Sequence, residues 1–529
     1  MKKNLNYNKI VNAILLVALI ILINIFSLNV FTRLDLTDNN IFSLSDASKN
    51  ILKKIDDRVT IKAYFTKNLP APYSSVSRYV KDILEEYEAY GRGKIYFEFI
   101  NPGDDKKLEK EALEFRVPPV QINALENDKL EIKKVYMGLV FLYHDKKEVL
   151  PVISKTAGLE YDITSTIKKL IEKNKKKIGI IQGHGEPDFN NQLSTLTAVF
   201  NKQYDVKPIN LPNVNSIEAD AILWISPSDT ISKSDLYKID QFIMKGGKVG
   251  LFLNNYDVKL EKGIAFPKRL NISNFLENYG IKINNDMVMD LQCAPVSVSQ
   301  RQGFFQIVNQ INYPYFPIIT DFNKDEILVK DLERTVHFFP SSIDTAFAGK
   351  IGIKFLYLEK TSDKSKLELR PYNVSPLQKF LPATFNKKGL IISGIYTGKF
   401  KSFFQKDSIP SEFDKNLYLG ESDTNRIIVF TEGRFLQDDY LASARENLIL
   451  ASNIVDWLSQ DEDLIAIRSK QVTARPLHAP ESNVTRNIIK WLNILIPPVL
   501  MIILGFVISV WRKSNRNKTI ALIINKTEG

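Results

Sequence analysis

The chain has 529 residues, with 71 Lys and Arg against 60 Asp and Glu and a formal net charge of +11. At roughly 100–200 residues per domain, this length predicts about three domains. An apolar content of 44% with 25% charged residues excludes a wholly disordered chain. The single cysteine, Cys293, excludes an intramolecular disulfide and any multi-cysteine metal site, and only four histidines are available for a metal centre.

The positive charge is concentrated at the two ends of the chain. Residues 1–9 contain three lysines and no acid, and residues 512–529 contain five basic residues and one acid. The long middle is nearly balanced, whereas a nucleic-acid-binding protein gathers its charge on a folded face. We therefore expect no nucleic-acid partner.

Two uncharged apolar stretches adjoin these basic ends, at residues 10–32 and 491–511. A helix of about 20 apolar residues can cross a bilayer, so each stretch predicts a transmembrane helix. The alternatives are a cleaved signal peptide for the first and a buried helix for the second. Because basic flanks stay in the cytoplasm, we expect a two-pass bacterial inner-membrane protein with both tails, 1–9 and 512–529, inside and residues 33–490 in the periplasm.

The first outer segment, 33–177, predicts an α/β domain with a thioredoxin-like order of elements. Residues 59–65 (VTIKAYF) and 94–100 (KIYFEFI) alternate as strands do, and residues 75–90 between them repeat apolar side chains at helical spacing. A helix, a hairpin and a last helix complete the order. No Cys-x-x-Cys is present, which excludes redox chemistry of the thioredoxin type.

Residues 178–480 predict a doubly wound α/β domain that is similar to the glutamine-amidotransferase fold, with a β-rich insertion at about 255–425. Short apolar strands at 178–181, 221–225 (AILWI) and 249–253 alternate with helices. Ligands of such sheets bind beyond the carboxyl ends of the strands. This rule predicts a ligand-binding rim with four candidate residues: His184, Glu186, Ser226 and Asn254.

The rim lacks the motifs of known catalytic sites. Glutamine amidotransferases use a nucleophilic cysteine, and Cys293 lies outside the alternating strands and helices; Ser226 is not in a Gly-x-Ser-x-Gly elbow. A metal at His184, Glu186 and Asp188 is an alternative, although polar side chains in a Gly/Pro turn are typical of turn chemistry. The P-loop pattern is absent. We expect no catalytic residue, no cofactor and no metal.

Several short motifs extend across nearly the whole chain. They are 33–37 (RLDLT), 42–45 (FSLS), 159–164 (LEYDIT), 183–186 (GHGE), 394–398 (GIYTG), 401–403 (KSF), 453–458 (NIVDWL), 464–470 (LIAIRSK) and 475–477 (RPL). Together they resemble the ABC-transport auxiliary family, of the gliding-motility type found in Bacteroidetes. The resemblance implies an accessory subunit whose partners are an ABC permease subunit and a cytoplasmic ATPase subunit.

We therefore expect a non-enzymatic, membrane-anchored subunit that couples a permease and an ATPase to an envelope protein or a glycan ligand. Arg33 and Asp35 follow the first predicted span directly and form the candidate assembly motif. The alternatives are a structural envelope scaffold and a periplasmic hydrolase that would use the rim around His184 and Glu186.

Overall fold

The chain divides into two compact units, Met1–Thr473 and Ala474–Gly529. The computed structural model describes residues 15–16, 43–103, 105–126, 129–172, 174–268, 270–302, 305–369, 372–405, 408–444, 446–472, 487, 490–496, 498–499, 501–506, 508–509 and 512.

The first sheet of the larger unit has four strands and mixed direction. The elements of this region are α1 (Asp46–Lys53), β1 (Val59–Phe65), α2 (Tyr73–Tyr90), β2 (Ile95–Ile100), α3 (Lys106–Glu114), β3 (Val120–Glu126), β4 (Lys129–Val135), β5 (Met137–Tyr143), β6 (Lys146–Leu150) and α4 (Leu159–Ile171). The strand order is β2-β1-β5-β6, with β1 parallel to β2 and antiparallel to β5. The strands β3 and β4 form a separate hairpin that the sequence pattern does not predict.

An eight-stranded sheet forms the second layer. Its first elements are β7 (Lys177–Gln182), α5 (Ser194–Phe200), β8 (Asp205–Asn210), β9 (Ala221–Ile225), α6 (Lys233–Met244) and β10 (Lys248–Phe252). The last strand of its parallel part is β22 (Glu421–Phe430), and it is followed by α9 (Asp438–Leu441), α10 (Asn447–Leu458) and α11 (Glu462–Val472). The parallel strands lie in the order β8-β7-β9-β10-β22.

A long β-rich insertion separates β10 from β22. It contains β11 (Tyr256–Lys259), β12 (Ile264–Pro267), α7 (Ser273–Asn278), β13 (Met287–Asp290), β14 (Cys293–Gln302), β15 (Phe305–Ile319), β16 (Asp321–Phe322), β17 (Thr335–Val336), α8 (Phe347–Lys350), β18 (Lys354–Lys360), β19 (Ser365–Glu368), β20 (Tyr372–Asn373) and β21 (Ile391–Lys401). Three of these strands extend the large sheet in the order β16-β18-β21, and each strand from β16 to β22 is antiparallel to the next. The mixed α/β architecture predicted from the alternating pattern is confirmed.

Alternation along the central strands explains why this sheet is covered on both faces. In β9, Ile222 and Trp224 join the apolar cluster that includes residues of α6, whereas Leu223 and Ile225 join the cluster that includes residues of α10. Successive side chains of a strand point to opposite faces, so an all-apolar strand requires a helix on each side. Every residue of β9 is buried accordingly.

The predicted membrane topology is corrected by the structure. No helix in the described part of the chain is long and apolar enough to cross a bilayer, for which about 20 consecutive residues are needed. The first predicted span, 10–32, lies outside the described residues except for 15–16, and the second is described as helix only at 491–496, 498–499, 501–506 and 508–509. The two transmembrane helices of the predicted fold class and the two-pass, periplasm-facing localisation are therefore wrong.

Truncating a side chain in the core between β9 and α10 tests this packing. Leu223 is 1% exposed, and a Cβ added at Gly250 would lie 3.0 Å from Leu223 and 3.2 Å from Leu458 of α10. We expect Leu223→Ala to lower the free energy of unfolding by about 2–5 kcal/mol, because the cavity cannot close. Leu417→Ala, at a side chain that is 72% exposed, is the matched control in chemical denaturation. Equal losses for both variants would contradict the packing.

Candidate functional site

The predicted rim lies where β7, β9, β10 and β22 end at one edge of the sheet. The chain proceeds from β7 to β8 on one side and reaches β9 on the other, so the order of strands reverses between β7 and β9. In open α/β sheets this switch point is where ligands usually bind. His184 and Glu186 follow β7, and Ser226 follows β9.

The His184 side chain is 5% exposed and lies between two carboxylates. Its Nε2 is 3.1 Å from Asp235 Oδ2, and its Nδ1 is 3.7 Å from Glu186 Oε1. Gly183 and Gly185 on either side have φ of +117° and +72°, a region that glycine adopts without strain. This backbone turns the chain sharply enough for the His184 N–H to donate to Glu186 Oε2 at 2.6 Å.

The two carboxylates are held by further hydrogen bonds from the sheet and from α6. Trp224 Nε1 donates to Glu186 Oε1 at 2.9 Å. Ser232 Oγ and Lys238 Nζ donate to Asp235 at 2.7 and 2.8 Å. Donors from β9 and from the start of α6 therefore hold both carboxylates in place.

Opposite charges hold this cluster in its ionised form. The carboxylates of Glu186 and Asp235 raise the pKa of the His184 imidazole, although burial opposes the charged form. Burial alone would raise the pKa of Glu186 and Asp235, but hydrogen bonds from His184 and from Lys238, respectively, lower both. The two carboxylates therefore favour the charged imidazolium of His184 over the neutral ring.

Ser226 and Asn254 form a second group at the same edge. Asn254 Nδ2 donates to Ser226 Oγ at 2.9 Å, and Asn254 Oδ1 accepts from the backbone N–H of Gly433 at 2.9 Å. Ser226 has φ of +52°, and its N–H donates to the Phe252 carbonyl. A Cβ at Gly433 would lie 2.5 Å from Ser226 Oγ, so this position requires glycine. The group ties together the ends of β9, β10 and β22.

The two groups are joined through backbone rather than side chains. The N–H groups of Ser228 and Asp229 both donate to the His184 carbonyl at 2.9 Å, and Ser228 Oγ donates to the Gly185 carbonyl. These loops fill the crevice at the switch point. The structure thus places all four predicted residues at one edge, but the side chain of each is buried and bonded to protein atoms.

Sequence reasoning missed Trp224, Asp235 and Lys238. The spacing of Ser232 and Asp235 marks the start of a helix, because Ser232 Oγ accepts from the Asp235 N–H. That pattern predicts a helix cap and not a partner for His184. Within the described ranges no group of three His, Cys, Asp or Glu side chains could hold a metal ion.

A second buried histidine, His337, lies beneath the end of β22. Its Nε2 is 3.1 Å from Glu359 Oε1, and its Nδ1 is 3.5 Å from Glu432 Oε2. Burial disfavours the charged ring, but Glu359 and then Glu432 raise the pKa of His337 to about 9. Thr335 and Ser393 donate to Glu359. The cluster joins the insertion to the parallel strands.

Motifs from three distant parts of the sequence meet around Arg468 of α11. Its guanidinium donates to Tyr161 Oη of α4 at 2.7 Å and to Asp456 Oδ2 of α10 at 2.7 Å, and it also contacts Asn453 Oδ1. The carboxylate of Asp456 raises the pKa of Arg468 although burial opposes its charge. Tyr204 donates to the other Asp456 oxygen at 2.7 Å.

The family described as an ABC-type uncharacterized transport system matches residues 175–460, more than half of the chain. The chain belongs to this family. A domain of unknown function matches residues 38–142.

The chain is also similar to one relative in sequence and to two solved structures. An uncharacterized protein of Borreliella burgdorferi is 26% identical over 522 residues, covering 94% of this chain and 97% of the relative. Among solved structures, the mmIFT52 N-terminal domain has 13% identity and a TM-score of 0.33, covering 53% of this chain and 97% of that one. A ThuA-like protein of Parabacteroides merdae has 10% identity and a TM-score of 0.20, with 58% and 93% covered.

The predicted ABC-transport auxiliary family is thus confirmed for this chain. Two of the predicted site residues cannot be placed, because Arg33 and Asp35 lie outside the described residues. Their role as an assembly motif stays a prediction.

The charged state of His184 gives a pH-dependent prediction. Its raised folded-state pKa means that its contribution to stability is fully present below the unfolded pKa and is lost as pH rises through the folded pKa. We expect His184→Gln to lower the free energy of unfolding by about 1–3 kcal/mol at pH 6 and by less at pH 9. His144→Gln, at a side chain that is 56% exposed, is the matched control at both pH values. A loss that grows with pH would contradict the assignment.

Removing the Arg468 guanidinium tests the junction of the three helices. Arg468→Met leaves Asp456, whose side chain is 3% exposed, without its ion-pair partner. We expect a loss of about 3–5 kcal/mol in the free energy of unfolding, as for other broken buried pairs. The exposed Arg334, paired with Glu446, provides the control: Arg334→Met should cost about 0–1 kcal/mol. Similar costs at both positions would show that burial of Arg468 is not important.

Proposed function

We propose that the chain is a non-enzymatic auxiliary subunit that binds the permease and ATPase subunits of an ABC transporter. Its membership of the ABC-type transport family supports association with such a transporter. The non-catalytic part of the proposal rests on the burial and the hydrogen bonds of the side chains at the rim. The side chains of His184, Glu186 and Asp235 are at most 5% exposed and are bonded to one another and to neighbouring protein groups.

A hydrolase would require a nucleophile beside a base that can take its proton. Ser226 Oγ accepts a hydrogen bond from Asn254, and His184 Nε2 faces Asp235. Both side chains belong to residues that are less than 5% exposed. This arrangement favours a stabilising role for the rim, with recognition of partners elsewhere on the surface.

The gliding-motility type of complex is part of the proposal, and it rests on the motifs quoted from the sequence. In such a complex the chain would couple the permease and ATPase to an envelope protein or a glycan. Stabilisation of the purified chain by a glycan fraction would support a capture role, since a ligand that binds only the folded state raises its stability.

Assembly is tested by co-purification from cells that produce the transporter subunits. We expect Arg33→Ala combined with Asp35→Ala to reduce the recovered permease and ATPase by about tenfold, equivalent to about 1.4 kcal/mol of binding free energy. The control is Lys330→Ala with Asp331→Ala, an adjacent pair of opposite charges at exposed positions. Wild-type recovery for the Arg33 and Asp35 variant would reject the assembly motif. Failure of the wild-type chain to recover either subunit would reject the proposed function.

A further inference from the structure

The strand β2 leaves one edge of the four-stranded sheet open. Among the described strands it pairs with β1 alone. The Val59 N–H donates to the Lys94 carbonyl at 2.8 Å, directly before β2. Because the main-chain groups of successive residues alternate between the two sides of a strand, those of Ile95, Phe97 and Phe99 point away from β1. No main-chain group of the described residues bonds to them on that side.

The other ends of the two large sheets carry features that prevent pairing with another chain. The strand β6 begins with two exposed lysines, β8 contains Lys207 and Pro208, and β16 has only two residues. Lysine, proline and short length are usual protections of an edge strand. By contrast, β2 is six residues long, contains no lysine or proline and has a single charge, Glu98. It is therefore the least protected of these four edges.

Aromatic side chains are exposed along the same edge. Tyr96 is 40% exposed and Phe99 is 38% exposed. The ring centres of Phe97 and Phe99, on one face of the strand, are 6.1 Å apart. Aromatic pairs on neighbouring strands stabilise a sheet, and aromatic residues are enriched at protein interfaces. The strand β2 thus offers a partner strand both main-chain hydrogen bonds and apolar contact area.

The open groups of β2 complement those of a second β2 in one antiparallel register. If Phe97 lies opposite Phe97 of the other copy, Ile95 lies opposite Phe99, and all the outward-pointing N–H and C=O groups pair. Tyr96 then lies opposite Glu98. A shift by two residues in either direction leaves some of these groups unpaired, and in one direction it places Glu98 opposite Glu98, where like charges destabilise the pair.

Charged side chains favour the same register. The Arg58 guanidinium lies 4.4 Å from the centre of the Tyr96 ring, and Tyr96 faces Glu98 of the second copy in this arrangement. The guanidinium and that carboxylate therefore come together on each side of the two-fold axis. Within its own chain, Glu98 is 3.8 Å from Lys62, whose ammonium is closer to Glu111, at 2.8 Å. The Glu98 side chain is 40% exposed and accessible to a partner.

We propose that two copies of this chain pair through β2, antiparallel about a two-fold axis at Phe97, so that their four-stranded sheets become one continuous sheet. A contact of six residues a side is smaller than the interfaces of about 1,200–2,000 Å² that hold stable complexes. The dimer therefore dissociates on dilution. The contact lies outside the rim around His184 and does not depend on the proposed transporter role.

Cysteine cross-linking of the full-length chain tests the register. With Cys293→Ser in every chain, we expect a mixture of Tyr96→Cys and Glu98→Cys chains to form a disulfide-linked dimer. Such opposite residues have Cα atoms about 4.5 Å apart, within the range of about 4.4–6.8 Å that a disulfide requires. Each variant alone is the control, because neither position faces itself. No cross-link in the mixture, or equal cross-linking by either variant alone, overturns the proposal.

Charge variants test the contact between Arg58 and Glu98 by sedimentation of the full-length chain over a series of concentrations. We expect Glu98→Arg to weaken the dimer at least about tenfold, and Arg58→Glu combined with Glu98→Arg to restore it to within about threefold of the wild type. The control is Glu261→Arg, at an exposed position of the insertion, which should change the dimer by less than about threefold. A wild-type chain that is monomeric at every concentration, or a double variant as weak as Glu98→Arg, overturns the proposal.

Discussion

The buried guanidinium of Arg468 is the contact on which the arrangement of the larger unit depends. A cation removed from water is stable only if acceptors surround it, and here the acceptors come from α4 and α10. The helix α4 follows the four-stranded sheet, and α10 covers the eight-stranded sheet. Because Tyr161, Asp456 and Arg468 must meet in one geometry, the two layers are held in a fixed relation within one compact unit. Lys168 of α4 forms a further ion pair with Asp461, beside the same junction.

The strand order predicts a ligand site at the sheet edge, but the loops at that edge contact each other directly. The switch point between β7 and β9 is where the strand order predicts a ligand, but Gly185 and Ser228 bring the two loops into direct contact there. The open space lies farther along the edge, near Lys268. Burial of charged side chains at the rim is therefore understood as stabilisation of the loops.

The central strands could be predicted from the sequence because each is a short run of apolar or alternating side chains. The run 221–225 is β9 and the run 59–65 is β1, each with the predicted bounds. Ser45 precedes α1 and caps it, since its side chain accepts from the Ser48 N–H. The partners of His184 and Arg468 could not be predicted in this way, because Asp235 and Tyr161 are 51 and 307 residues away in sequence and only the tertiary fold brings them close. Apolar composition at 10–32 and 491–511 also predicted membrane-spanning helices, and no helix among the described residues has the length and apolar character of a span.

We propose that this member of the ABC-type transport family works as a bound, non-catalytic subunit. The most direct measurement is ATP hydrolysis by the purified permease and ATPase subunits as this chain is titrated into the assay, with the mass of the complex recorded at each step. We expect a heavier complex and a rate of ATP hydrolysis that changes with the amount of added chain until it saturates. The chain by itself should hydrolyse no ATP. A complex of unchanged mass and rate at saturating chain would contradict it.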